Sequence, residues 1–260
     1  MSADPRFSDA ACARFAREGY AVVRGLAPAA TVARMREVAA AHLAEVRLPV
    51  EYEADTHYPG APASRDAPGG RTVRRLLQAY ARDAVFRAWA LSPLIAPRLA
   101  QLLGSQAMLS QAHHNCIMTK NPAFSSVTQW HRDIRYWAFD KPELVSVWLA
   151  LGEERLNNGC LLLLPGTHRM AFSAERLDDA QFLRADQADN RALLDTQIAA
   201  ELHAGDVLFF HCRLFHAAGD NQTGETKFSV VHTYHAADNL PRAGTRSAAL
   251  PDIALPVETI

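Results

Sequence analysis

Apolar residues recur at helical spacing in the first hundred residues of the chain. In the segment 28–45, five of them fall at three- and four-residue intervals: Val32, Met35, Val38, Ala39 and Leu43. This spacing predicts an amphipathic helix, and Pro28 suits its first turn, where no backbone donor is needed. Similar signals predict helices over 9–18, 83–90 and 93–103. Ser8 would cap the first of these, Gly19 would end it, and the apolar run 20–23 would follow as a strand.

Beyond residue 107 the pattern changes to short apolar and β-branched runs separated by turn residues. Strands are predicted at 108–119, 126–134, 144–151, 160–165, 206–211 and 227–234. Asn158-Gly159, Pro165-Gly166 and Gly219-Asp220 are typical turn sequences between them. Helices followed by many short strands indicate a mostly β fold, closed or in two sheets, with flanking helices.

Three segments carry little periodic signal. The segment 49–70 is rich in Pro, Gly, Asp and Ser and is predicted to be a loop or lid. The polar segment 170–196 is predicted to be a second lid over a pocket, because surface loops often carry such functions. The tail 237–260 gives no prediction. At 260 residues the chain is expected to form one domain.

Composition narrows the classes of function. The formal net charge is −1, and lysines and arginines are spread along the chain, so nucleic acid and anionic membranes are not expected partners. The four cysteines show no paired spacing, and the N-terminus does not resemble a signal peptide. No apolar run is long enough to cross a bilayer. These features predict a reduced, cytoplasmic protein.

The triplet His131-Arg132-Asp133 is the strongest candidate for chemistry. Residues two apart on a strand point to the same side, so His131 and Asp133 could hold one metal ion. With His216 they would form the two-histidine, one-carboxylate set that binds Fe(II) and leaves positions open for a cosubstrate and O2. Since the chain has 11 histidines, this pattern can also arise by chance.

Lys227 strengthens the metal hypothesis. The segments 206–217 and 227–234 are predicted to form a hairpin with its turn near Asn221 and Gln222. Such a hairpin would place His216 opposite Lys227 on one face, about 5 Å apart. The ammonium could then bind the far carboxylate of a metal-chelating 2-oxoglutarate. Alternatively, Lys227 is an exposed lysine on an edge strand.

Four motifs in order resemble the phytanoyl-CoA dioxygenase family of Fe(II)/2-oxoglutarate oxygenases. They are QWHRDIRYWAF (129–139), LVSVWLAL (144–151), NNGCLLLLPGTHR (157–169) and GDVLFFHCRLFHAAGDNQTGETK (205–227). The resemblance implies a double-stranded β-helix, or jelly-roll, as the core at about 105–236. A helical part at about 1–104 would precede this core, and the tail 237–260 would follow it.

The resemblance also implies roles for individual residues. His131, Asp133 and His216 match the iron ligands, and Lys227 stands where the family usually has an arginine that binds 2-oxoglutarate. Trp148 and Cys116 match positions near the cosubstrate. The implied cofactors are Fe(II), 2-oxoglutarate and O2, with ascorbate as an accessory reductant. The implied reaction is hydroxylation of an unactivated C–H bond of a small-molecule substrate with release of succinate and CO2. Asp133 favours hydroxylation over halogenation, although desaturation or ring formation could use the same site.

Residues near these motifs are candidates for the pocket. Asn115 is expected to donate a hydrogen bond to the cosubstrate, and one of His113 and His114 should point away from it. If the strand continues past Asp133, alternation would place Arg135 and Trp137 on the metal side. Arg135 would suit an anionic or polar substrate, and Trp137 a hydrophobic wall. The remaining substrate candidates are Arg74, Arg75, Gln78, Gln129, Arg132 and Tyr136.

Some of these residues have simpler interpretations. Each aromatic residue could equally be ordinary core, and His168 and His211 are expected to be structural. Two other functions also fit the sequence. A cupin-like metalloenzyme that uses no 2-oxoglutarate would share the barrel and the triad without needing Lys227. A non-catalytic ligand-binding protein could keep the same fold.

Overall fold

The computed structural model describes residues 5–56 and 60–256, which form two β-sheets with helices against one of them. The helices are α1 (Asp9–Glu18), α2 (Ala29–Ala44), α3 (Ala79–Arg82), α4 (Ala84–Ala90), α5 (Ala96–Leu103) and α6 (Ala188–Leu194). The strands are β1 (Tyr20–Val23), β2 (Val50–Tyr52), β3 (Val73–Leu77), β4 (Ala107–Lys120), β5 (Thr128–His131), β6 (Leu144–Ala150), β7 (Leu161–Leu163), β8 (Ile198–Ala200), β9 (Val207–His211), β10 (His216–Ala218), β11 (Lys227–Ala236) and β12 (Ile253–Ala254).

The four predicted helices are present, with bounds within three residues of those expected. The Ser8 hydroxyl accepts a hydrogen bond from the Ala11 amide at 3.3 Å, which caps α1. Gly19 ends α1 in the left-handed conformation, with φ 83°, and its amide donates to the Phe15 carbonyl at 2.7 Å. Pro28 lies at the N-cap of α2. The short helix α3 and the strands β2, β3, β8 and β12 were not predicted.

The larger sheet carries the helices on its outer face. Its strand order is β1-β9-β6-β11-β4-β3-β2, and β12 also pairs with β4. Apolar side chains of the helices pack on this face in one buried cluster that includes Phe15, Met35, Phe86, Leu99 and Val230. The burial of this layer anchors β4 and β11 against the helices, and these two strands form one wall of the cavity described below.

The smaller sheet has the order β5-β10-β7-β8 and faces the inner side of the larger sheet. Trp148, Phe210 and Val231 from the larger sheet pack in one cluster with Leu161 and Leu163 from the smaller sheet. Two facing antiparallel sheets with helices outside form the predicted jelly-roll, so the predicted fold class is confirmed.

The predicted hairpin that would place His216 opposite Lys227 is wrong. After β9 the chain leaves the larger sheet, and β10 lies in the smaller sheet. His216 therefore pairs with His131, whereas Lys227 pairs with Lys120. The physical reason is the jelly-roll connection, in which successive strands cross between sheets instead of forming a local hairpin.

Strand β5 is shorter than predicted. It ends at His131, and a 3-10 turn follows at Asp133–Tyr136. His131 and Asp133 therefore do not lie on one continuous strand, and the alternation expected at Arg135 and Trp137 does not apply.

The two predicted lids contain regular structure. The segment 49–70 includes β2 and a 3-10 turn at Glu53–Thr56, and its residues 57–59 lie outside the described residues. The segment 170–196 includes α6, and its Leu177 and Leu183 pack on Leu164 and Phe215. Whether either segment moves as a lid stays a prediction.

The C-terminal tail runs back along β4. Ile253 and Ala254 pair with Leu109 and Met108. A preceding 3-10 turn at Arg246–Ala248 brings the tail to the open end of the inter-sheet space. Among the described helices, none has the length and apolar character needed to cross a membrane.

Candidate metal centre and active-site cavity

Three buried side chains converge at one end of the smaller sheet. His131 is the last residue of β5 and His216 the first of β10, and the two are direct cross-strand partners with ring centroids 4.3 Å apart. Asp133 begins the 3-10 turn just past β5. One ligand atom from each of the three lies within 4.8 Å of the others. A strand pairing and a turn thus assemble the predicted triad from residues 85 positions apart in the chain.

Backbone carbonyls orient both imidazoles. His131 Nδ1 lies 2.8 Å from the Gln129 carbonyl, and His216 Nδ1 lies 3.0 Å from the Leu214 carbonyl. A carbonyl only accepts, so each Nδ1 carries the proton and each Nε2 keeps its lone pair. The Nε2 atoms lie 3.7 and 3.5 Å from Asp133 Oδ1. Burial, with the neighbouring His216, holds the pKa of His131 well below its usual value, so this ring is neutral and able to bind a metal.

The donor set fits a divalent transition metal. Two imidazole nitrogens and one carboxylate on one side of a site are typical of non-haem Fe(II). Asp133 Oδ2 is buried and accepts no hydrogen bond from the described residues, which is costly unless a cation compensates it. The histidines also have the outer hydrogen bonds that orient metal ligands in proteins.

The triad opens into a cavity of about 300 Å³ between the two sheets. Seven residues predicted near the site line this cavity: Arg74, Arg75, Cys116, Tyr136, Trp137, Trp148 and Lys227. Burial raises the pKa of Cys116 to about 12, so its thiol stays protonated and forms a neutral part of the wall.

Lys227 lies in a buried polar cluster centred on Glu154. The carboxylate of Glu154 accepts hydrogen bonds from Lys227 Nζ at 3.1 Å, Trp148 Nε1 at 2.9 Å and Ser229 Oγ at 2.6 Å. Lys227 is therefore buried and ion-paired, which excludes the exposed edge-strand alternative. Glu154 was not predicted, because an acidic residue after a strand is usually a surface residue.

Asn115 does not line the cavity. Its Oδ1 accepts a hydrogen bond from the Tyr80 amide at 2.8 Å, on the helix side of the larger sheet. The next residue, Cys116, lines the cavity, as strand alternation requires. The structure thus places Asn115 where it supports α3, away from the expected cosubstrate contact.

His113 and His114 both line the cavity, so the expectation that one points away is wrong. In the pairing of β4 with β11, Ser110 pairs with Thr233 and Asn115 with the adjacent His232. The intervening residues 111–114 form a bulge, which breaks the two-residue alternation. His114 Nδ1 lies 3.5 Å from Asp133 Oδ2. Burial lowers the pKa of His113 to about 3 and of His114 to about 4, so both rings are neutral at pH 7.

Four of the substrate candidates lie outside the cavity lining. Arg135 packs over the Phe182 ring at 3.9 Å and donates to the Ala180 carbonyl at 2.7 Å. Arg132 packs over the Phe215 ring at 5.0 Å. Gln129 and Gln78 have exposed side chains. The early end of β5 explains the position of Arg135, since the 3-10 turn rotates its side chain out of the predicted alternation.

The mouth of the cavity contains an arginine from the tail. Arg246 lines it together with Arg75, whose guanidinium is 2.7 Å from the Glu51 carboxylate. The adjacent Ser247 hydroxyl lies 2.7 Å from His113 Nε2 and accepts from the Ala138 amide at 2.8 Å. No pattern in the sequence connected this tail to the site, because the contact joins residues far apart in the chain.

His168 and His211 make contacts away from the triad. His168 Nε2 lies 3.2 Å from the Ala16 carbonyl, and His211 Nε2 lies 2.8 Å from the Glu143 carboxylate. These contacts join α1 and the loop before β6 to the barrel, in agreement with structural roles.

Comparisons with known proteins agree with this geometry. The sequence pattern of the phytanoyl-CoA dioxygenase (PhyH) family matches residues 15–229. A probable phytanoyl-CoA dioxygenase of Caenorhabditis elegans is 26% identical over 178 residues, which are 64% of this chain and 55% of that protein. The ectoine dioxygenase of Sphingopyxis alaskensis is 25% identical over 254 residues, which are 91% of this chain and 78% of that protein.

A solved structure shares the fold. The epimerase SnoN, in complex with Fe3+, α-ketoglutarate and nogalamycin RO, superposes with a TM-score of 0.72 at 23% identity and covers 90% of this chain and 85% of its own. The family expected from four sequence motifs is thus confirmed by the match across most of the chain. The chain belongs to the phytanoyl-CoA dioxygenase (PhyH) family.

Proposed function

We propose that this protein is an Fe(II)/2-oxoglutarate-dependent dioxygenase that hydroxylates an unactivated C–H bond of a small molecule and releases succinate and CO2. One observation carries the proposal. The paired His131 and His216 face Asp133 in an enclosed cavity whose wall also contains the buried Lys227.

Each part of the chemistry has a residue that could supply it. His131, Asp133 and His216 would hold Fe(II), which with 2-oxoglutarate and O2 supplies the oxidising power for attack on a C–H bond. Three protein ligands leave open positions for cosubstrates. Lys227 would attract the distal carboxylate of 2-oxoglutarate, and the buried walls would exclude water from the reacting atoms.

Hydroxylation is the proposed outcome because Asp133 occupies a ligand position with a protein carboxylate. A halide would need a small residue there instead. The epimerase SnoN has a similar fold, so the fold alone does not select the outcome. The ligand set favours hydroxylation over halogenation.

The proposed substrate is a small molecule with an anionic or polar group. Arg246 offers positive charge at the mouth, whereas Arg75 is already paired with Glu51. Trp137 and Tyr136 offer an apolar wall in the same cavity. Arg246 would thus have the function that was expected of Arg135.

Anaerobic titration tests the proposal. Addition of Fe(II) and then 2-oxoglutarate to the native protein should give a weak visible charge-transfer band, since the 2-oxo acid chelates the iron. Absence of this band with native protein would contradict the proposal. A band of equal intensity and equal 2-oxoglutarate dependence in Lys227→Ala would remove the function given to Lys227.

One contact favours the alternative of a metalloenzyme that uses no 2-oxoglutarate. Glu154 already neutralises Lys227 at 3.1 Å, which lowers the attraction of Lys227 for a second carboxylate. Under this alternative the same titration gives metal binding without a 2-oxoglutarate band. A non-catalytic binding protein would instead give the band but no succinate on exposure to air.

A further inference from the structure

Two of the protein's three lysines stand side by side in the cavity. The chain has 27 lysines and arginines, and its lysines are Lys120, Lys141 and Lys227. Lys120 is the last residue of β4 and Lys227 the first of β11, and they are direct cross-strand partners. Both are buried and line the cavity. Cross-strand partners on one face lie about 5 Å apart at Cβ, so the two side chains begin side by side on the cavity wall.

The two lysines differ in their partners. Lys227 is neutralised by the buried carboxylate of Glu154 at 3.1 Å. Lys120 Nζ instead donates to the Ser126 backbone carbonyl at 3.1 Å, and no carboxylate among the described residues forms an ion pair with it. A buried ammonium without a counter-charge is costly, so an anion that enters the cavity would be stabilised beside Lys120.

The surrounding structure is shaped around the Lys120 side chain. Gly159, with φ 73°, lies so close that a Cβ there would meet Lys120 Cδ at 2.7 Å. Asn221 Nδ2 donates to the Lys120 carbonyl at 2.8 Å. The turn before β7 thus packs against the Lys120 side chain, and Asn221, in the loop after β10, fixes the backbone at Lys120.

We propose that Lys120 binds the distal carboxylate of 2-oxoglutarate together with Lys227 and supplies the positive charge that Glu154 removes from Lys227. The inference rests on the proposed use of 2-oxoglutarate. Two point charges from adjacent strands would thereby replace the single forked contact that an arginine makes.

Binding of 2-oxoglutarate would then be coupled to the uptake of a proton by Lys120. Burial lowers the pKa of Lys120 to about 7, so the amine is partly neutral in the free protein near pH 7. A carboxylate favours the ammonium form, so Lys120 would take up a proton when 2-oxoglutarate binds, and the affinity for 2-oxoglutarate would fall as pH rises above 7. The charged groups that act on Lys120 from neighbouring elements are Arg74, Lys227, Glu53 and Asp220.

Calorimetric titration of the full-length protein with 2-oxoglutarate tests the inference, with Mn(II) in place of Fe(II) to prevent turnover. Titrations at pH 7.5 in buffers of different ionisation enthalpy report the protons taken up. We expect uptake by native protein, and in Lys120→Met a loss of this uptake with roughly 10- to 100-fold weaker binding, the usual range for a charged hydrogen bond. Lys141→Met is the matched control, because Lys141 is exposed and pairs with Asp238. It should bind 2-oxoglutarate as native protein does.

Comparison with pyruvate tests the distal carboxylate alone, because pyruvate keeps the chelating 2-oxo acid and lacks the distal carboxylate. Pyruvate should bind without the Lys120-dependent proton uptake. Native protein that binds 2-oxoglutarate with no proton uptake overturns the inference without any variant. Lys120→Met with unchanged affinity for 2-oxoglutarate and unchanged proton uptake also overturns the inference. In both cases the proposed function survives, whereas native protein that binds no 2-oxoglutarate overturns the proposed function as well.

Discussion

Glu154 connects the residues at the closed end of the cavity. It is fully buried, and it accepts from an ammonium, an indole and a hydroxyl that lie on two strands of the larger sheet. A buried carboxylate of this kind is stable only while its partners remain, and the same holds for Lys227. The geometry of the lysine pair therefore depends on a residue that contacts no metal ligand.

Glu154→Ala should strongly destabilise the protein. The variant leaves the Lys227 ammonium buried without its carboxylate, and removal of one partner of a buried ion pair typically costs about 3–5 kcal/mol. Urea denaturation monitored by circular dichroism measures the change in free energy of unfolding. Glu153→Ala is the control, since the ion pairs of Glu153 with Arg155 and His203 are exposed and their loss should cost no more than about 1 kcal/mol. Equal effects in the two variants would contradict the structural importance of Glu154.

The metal ligands should affect binding more than folding. His131→Ala and Asp133→Ala should each lose stoichiometric Fe(II) and all turnover, while the folded state survives because the barrel has its own apolar core. Metal analysis and thermal unfolding measure the two effects separately. Asp140→Ala, which removes an exposed carboxylate, should keep its iron. Unfolding of both triad variants would indicate a structural metal instead.

At the scale of elements, the site depends on the connections that cross between the sheets. The turn before β7 contains Gly159, which lies against the loop after β10 and against Lys120. These connections place the smaller sheet, with its two histidines, opposite the lysine pair of the larger sheet. A substitution in one of these turns is thus expected to change the geometry of the cavity.

Gly159→Ala should destabilise the protein by at least about 1–2 kcal/mol, the usual cost of left-handed backbone for a residue with a Cβ. The new Cβ would also meet the Gly219 carbonyl oxygen at 2.5 Å. Gly224→Ala is the matched control, because a Cβ there meets nothing within 4 Å. Chemical denaturation of both variants measures the difference. Similar stability of the two would contradict the close packing at this turn.

For the whole molecule, buried histidines predict a loss of stability in acid. Burial lowers the pKa of His232 to about 3 and of His168 to about 4, and it likewise lowers the values of His113 and His114. Between about pH 6.5 and 4 these rings are protonated in the unfolded chain and neutral in the folded protein. The unfolded state then binds more protons, so stability rises with pH in this window and falls as the solution is acidified.

Each such histidine should contribute up to about 1.4 kcal/mol per pH unit to the slope of stability against pH. Urea denaturation of the metal-free protein at several pH values measures the slope. His232→Leu should lower this slope by the contribution of one proton, up to about 1.4 kcal/mol per pH unit. His232 suits this test because it is fully buried and lies away from the metal centre. A slope that is unchanged in this variant would show that His232 is not neutral in the folded state.

Local signals predicted much of this molecule, and non-local pairing explains most of what they missed. Ser8 and Gly19 define α1 through contacts within a few residues, so the sequence alone located that helix. The triad was also found, because its residues lie in motifs that together resemble one family, although the same residue types alone could arise by chance. The cross-strand partner of His216 could not be predicted in the same way, because the pairing depends on a connection that crosses between the sheets. Lys120, Glu154 and Arg246 were missed because their importance lies in partners distant along the chain.

Oxygen-isotope labelling tests the central claim most directly. Native protein with Fe(II) and 2-oxoglutarate is exposed to 18O2, and the succinate is analysed by mass spectrometry, with Asp133→Ala as the blank. The proposed dioxygenase predicts succinate that carries one 18O atom, formed only with Fe(II) and absent with the variant. Unchanged 2-oxoglutarate, or succinate without 18O, would contradict it.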